Sequence, residues 1–206
     1  GSNTNPTLQK IEEEYAPIFS AHSDNIYLNS KLFNRIKAVK TDGLDAEDKR
    51  LIEVYKQRFE LAGANLTDAQ KEQMKAINGE LATLSTQFTS KLLEARKKGA
   101  VLFDNVKDLD GLSADEIAAA AADAKNAGQE GKYLLTLLNT TQQPLLQNLK
   151  NRATREKLFK ASWYRAEKGD ENDTRKKKKK MAKLRMDKAH LMGKSSYAEL
   201  NLMDQM

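Results

Sequence analysis

His22 and His190 are the two histidines of this 206-residue chain, and cysteine is absent. A catalytic zinc takes its ligands from His, Cys, Asp and Glu. In His-Glu-x-x-His the helical spacing puts two imidazoles on one metal and a carboxylate beside its bound water. Neither histidine stands in such a pattern. His190 lies in "KAHLMG" between Ala189 and Leu191, where it reads as a helix-surface or packed side chain. Without cysteine there is no thiolate nucleophile, no thiolate metal site and no disulfide framework, which fits a reducing compartment. Glu12, Glu13 and Glu14 cannot converge on one ligand, because consecutive helix positions fan around the axis. There is also no glycine-rich phosphate loop and no Gly-x-Ser-x-Gly elbow. From its residues alone the chain offers no catalytic, cofactor-binding or metal-binding set.

A second kind of chemistry is suggested by Arg175 to Lys180, six consecutive basic residues that could neutralise phosphates. The segment Arg175 to Lys194 carries +9, against +6 for the whole chain, so the remainder is mildly acidic. A high isoelectric point therefore does not identify a polyanionic partner. The run has no interleaved aromatic residue or glycine and no known nucleic-acid-binding pattern around it. The stripe of Met181, Leu184 and Leu191, projected backwards, lands on Lys177 and Lys178. A solvated or altered helix start is the favoured reading. The alternative is an interaction module that docks on nucleic acid or anionic membrane through Lys176–Lys180.

These residues need elements to carry them. Apolar residues make up 39 % and charged residues 31 %, a mixture suited to long amphipathic helices. A first helix is expected from about Leu8 to Phe19, kinked or ended by Pro17, and a second over Leu32 to Val39. A third opens at an Asp45 N-cap and closes on Gly63, with Leu51, Ile52, Tyr55, Phe59 and Ala62 at helical spacing. The fourth begins at a Thr67 cap and ends before Gly99. Its Met74, Ile77, Leu81, Leu84 and Phe88 form a heptad-like seam that packs within the chain or, alternatively, between chains. "AVLFDNV" and "KYLLTLL" are short and β-prone, and between them "SADEIAAAAADAKNAG" is a capped alanine-rich helix. Helices resume at Pro144, and the last starts near Tyr197. No apolar run exceeds Ile117 to Ala122, too short to span a bilayer. Asn65 and Asn139 open glycosylation acceptor patterns, a weak signal without a secretory segment.

From Asn139 onward the residues carry a resemblance. "NTTQQP", Arg152, Arg155 with "EKLF", Tyr164-Arg165 and Glu171-Asn172-Asp173-Thr174-Arg175 are similar to the thimet oligopeptidase and neurolysin family of zinc metallopeptidases. So are Leu184-Arg185, Ala189, Gly193 and Tyr197-Ala198. Within that family they resemble the bacterial peptidyl-dipeptidase (dipeptidyl carboxypeptidase) branch. "IYLNSKLFNRI", "RLIEVYKQRFELAGANL" and "LATLSTQFTSKLLEA" extend the likeness to nearly everything after Asp24. Two departures stand out: the lysine run replaces mixed residues, and Lys194 follows Gly193 where an aromatic or other apolar residue is usual.

The resemblance implies a mainly α fold, the multi-helix N-terminal region of a neurolysin-like metallopeptidase with a small β element. Residues 1–6 read as a cleavage scar and unstructured start. Residues 7–206 read as a non-catalytic channel wall cut short at its C-terminal end. The parent it implies is a zinc enzyme that releases C-terminal dipeptides from oligopeptides. Its metal ligands and general base lie in a catalytic domain outside this chain, so the expectation here is no zinc and no activity alone. The expected partners are oligopeptides together with that domain, with no nucleic acid or membrane, and the protein is expected to be a monomer. The expected compartment is the cytoplasm, with the periplasm as alternative. Arg152, Arg155 and Arg165 could clamp a substrate carboxylate, but next to Glu156 and Glu167 they are read as partners in intramolecular ion pairs.

Overall fold

The structure is a computed structural model that describes residues 4–138 and 143–205. The Asn139 acceptor pattern and most of "NTTQQP" lie outside the described residues. The described chain is mainly helical with one two-stranded sheet, and it divides into two compact units. Residues 1–87 and 177–206 form one; residues 88–176 form the other.

In the first unit, α1 (Pro6–Tyr27) starts on an Asn5 cap, whose Oδ1 accepts from the Leu8 amide at 2.9 Å, with Pro6 in the first turn. The helix runs through Pro17 instead of ending there. A proline removes one intrahelical bond, and in 22 residues anchored at both ends that single loss does not stop propagation. α2 (Ser30–Lys37) is capped by Asn29. α3 (Ala46–Ala62) opens on Asp45 and closes on Gly63, whose φ of 107° is the left-handed geometry that glycine adopts without strain. Phe33 and Phe59 stack at 5.5 Å and Tyr27 tilts against Phe59 at 5.1 Å, making the aromatic centre of this unit. Of the apolar positions at helical spacing in α3, Phe59 is buried, while Leu51 and Tyr55 are exposed.

α4 (Asp68–Lys98) is capped reciprocally: Thr67 Oγ1 accepts from the Gln70 amide, and Gln70 Oε1 accepts from the Thr67 amide. On its seam Met74 and Leu84 are buried and Ile77, Leu81 and Phe88 half-buried, so the apolar repeat packs inside the chain. The helix is shared between the two units.

In the second unit, β1 (Val101–Phe103) pairs antiparallel with β2 (Tyr133–Leu135) in the register Val101–Leu135. α5 (Ala114–Asn126) lies between them in sequence, opened by a complete Ser113–Glu116 capping box. Short α6 (Leu145–Asn148) and α7 (Arg152–Trp163) follow. Val101, Phe103, Leu109, Leu135, Leu149 and Leu158 make the core. Gly111 is required where it stands: its φ is 100°, and a Cβ there would fall 2.0 Å from the Asn148 carbonyl oxygen. α8 (Arg175–Leu191) leads back to the first unit, and α9 (Tyr197–Asn201) follows a Ser196 cap.

Candidate functional site

In the first unit three helices bring their polar side chains to one point. Asn78 of α4 donates its Nδ2 to Asp24 Oδ1 of α1 at 2.8 Å. Its Oδ1 accepts from Lys188 Nζ of α8, also at 2.8 Å. Asp24 Oδ2 is buried without a hydrogen-bond partner. Burial pushes the Asp24 carboxyl above the ordinary carboxylate range, opposed by the Asn78 hydrogen bond and by the charges of Lys188 and Lys75. Burial also lowers the Lys188 ammonium, opposed by the charge of Asp24. The two desolvated charges thus meet through one amide.

Beside this cluster Asp24, Asn29, Ser30, Asp68 and Lys71 line an open polar pocket of about 260 Å³, in which buried Lys71 donates to Ser30 Oγ. Perturbed carboxylates and lysines can mark reactive sites. Here the Asp24–Asn78–Lys188 contacts tie α1, α4 and α8 to one another. Nothing in the sequence pairs these three distant positions. The one signal it carries is Asn78, a polar residue beside the seam of α4.

The basic run sits on the first turns of α8. Lys177, projected onto the inner face, is half-buried and donates to Gln87 Oε1 at 2.6 Å. Lys180 pairs with Glu80. Lys178, projected onto the same face, is exposed, as are Lys176 and Lys179. The run therefore has two sides, one stitched to α4 through long lysine stems and one turned to solvent. Lys194 pairs with Glu199 at 3.2 Å across the start of α9.

Two arginines of the second unit, Arg155 and Arg165, donate to backbone carbonyls. The Arg155 guanidinium donates to the carbonyls of Leu149 and Lys150, each at 2.7 Å, while Glu156 pairs with Lys160. The ion-pair expectation is overturned for Arg155, because the carbonyls left free where α6 ends lie within its reach. Arg165 donates to the Leu138 carbonyl at 2.8 Å. Arg152 lines an open pocket with Leu146 and Phe159. His22 and His190 are both exposed. Among the described residues no group of three or more His, Cys, Asp or Glu side chains could hold a metal ion. The described residues supply no ligand set for the zinc of the parent that the resemblance implies. Among the described residues, no helix is long and apolar enough to cross a membrane.

No family model matches the chain. Individual proteins do. Dipeptidyl carboxypeptidase from Escherichia coli (strain K12) is 45 % identical over 209 residues, covering 100 % of this chain and 31 % of its own length. Organellar oligopeptidase A of Arabidopsis thaliana is 30 % identical over 207 residues, covering 96 % of this chain and 26 % of itself. Oligopeptidase A of Haemophilus influenzae is 28 % identical over 207 residues, covering 97 % and 30 %. The chain thus spans about 31 % of the length of the dipeptidyl carboxypeptidase it matches. Mainly helical, and matched from end to end, it is a relative of one part of the dipeptidyl carboxypeptidases and, at lower identity, of the oligopeptidases A.

Proposed function

We propose that this chain is the non-catalytic N-terminal part of a zinc peptidase that removes dipeptides from the C-terminus of oligopeptides, and that it forms one wall of the substrate channel. One observation carries the reading: 45 % identity across the whole chain to the Escherichia coli dipeptidyl carboxypeptidase, of which it spans 31 %. Zinc, the activated water and the general base belong to the remainder of the parent. A channel wall needs a rigid scaffold more than reactive groups, and the capped helices and buried cores of the two units supply one. We place the parent in the cytoplasm, acting as a monomer.

The test uses a chimera in which these 206 residues replace the matched segment of the Escherichia coli enzyme. Chelator-sensitive release of dipeptides by the chimera, and none by the chain alone, is the expected result. Turnover by the pure chain, or one tight zinc site in calorimetric titration of it, would refute the reading. The lysine run provides the rival. Filter binding across salt concentrations is expected to show negligible retention of nucleic acid near physiological salt, where a polyanion-binding module would give steep salt-dependent binding.

A further inference from the structure

α1 is built inside out. Leu8, Ile11, Tyr15, Ile18, Phe19 and Ile26 are between 38 % and 68 % exposed. At 3.6 residues per turn they fall within an arc of about 100°. The half-buried and buried positions Gln9, Glu13, Ser20 and Asp24 lie on the other side, together with Ala16 and Tyr27. The helix thus packs its polar face inward, ending on the Asp24–Asn78 bond, and turns its apolar stripe to solvent. Scattered exposed hydrophobics are ordinary, but six on one face of a 22-residue helix, interrupted there only by exposed His22, mark an interface.

We propose that this stripe is the docking surface for the remainder of the parent polypeptide, a reading that rests on the proposed function. Two observations choose that occupant over a second copy of this chain. The relatives run to about three times the matched length, so a large tethered partner is available. Six half-exposed large side chains offer about 500 Å², below the roughly 800 Å² per partner of a stable complex between separate molecules. A segment tethered on the same polypeptide escapes the entropy of bringing two molecules together and can use so small a surface. Exposed Glu12 and Glu14 border the two edges of the stripe. The occupant is therefore an apolar segment flanked by Lys or Arg.

The experiment compares one double substitution, Ile11→Glu with Ile18→Glu, in two settings. In the isolated chain both positions already face solvent, so the thermal midpoint should not fall. In the chimera with the Escherichia coli remainder the same pair should lower the midpoint by about 5 °C or more and cut peptidase activity. Equal effects in both settings would overturn the proposal. So would a concentration-dependent dimer of the isolated chain, seen by sedimentation and abolished by the substitutions, since it would make the occupant a second copy. A chimera that is inactive with the stripe intact would instead defeat the parent reading, and the docking surface with it.

Discussion

Asn78→Ala is the most direct probe of what holds α1 to α4 and α8. The amide makes two hydrogen bonds to ionisable groups, each 2.8 Å long. A hydrogen bond to a charged group contributes about 1.5–3 kcal/mol. Alanine would leave Asp24 with neither oxygen bonded, since Oδ2 already lacks a partner, and would leave Lys188 without this acceptor. Lys188 is only half-buried and regains some solvent, so its loss is set at about 1 kcal/mol and that of Asp24 at about 2 kcal/mol. The total, about 3 kcal/mol, corresponds to roughly 6–12 °C in the thermal midpoint of a chain this long. The effect should also depend on pH. Burial raises the Asp24 pKa above 3.8, so its contribution is fully present below 3.8 and is lost as pH rises through the folded value. Removing the donor that opposes this shift makes ionisation costlier still. The destabilisation should therefore be smallest below pH 3.8 and grow towards neutrality. Urea unfolding followed by helical circular dichroism, at several pH values, measures both. A loss under about 0.5 kcal/mol, the range of ordinary surface substitutions, or a loss independent of pH, would refute the reasoning.

Two further outcomes follow from packing. Phe59→Ala, at a side chain 2 % exposed between Phe33 and Tyr27, should cost about 3–5 kcal/mol in the same unfolding assay. Gly111→Ala should lower the midpoint more than Gly128→Ala. Both glycines have positive φ, but only at 111 would the new Cβ meet backbone, the Asn148 carbonyl, while nothing lies within 4 Å at 128.

The sequence by itself determined the local grammar. Asp45 and Gly63 bound α3, Thr67 opens α4, Ser113 and Glu116 box α5, and "AVLFDNV" and "KYLLTLL" supply the two strands. Each of these signals acts within a few residues of itself, and so could be read without the fold. The relationship to peptidases was legible for a similar reason, as the order and spacing of motifs survive without coordinates. Tertiary structure alone decided the rest. Asp24 and Asn78 are 54 positions apart, and Asn78 and Lys188 are 110 apart. Only the packing of three helices makes them neighbours. The same packing chose which side of α1 to bury, against the hydrophobic pattern of that helix. Periodicity shows that a helix has an apolar face, but which face meets its neighbours depends on every other surface competing to cover it.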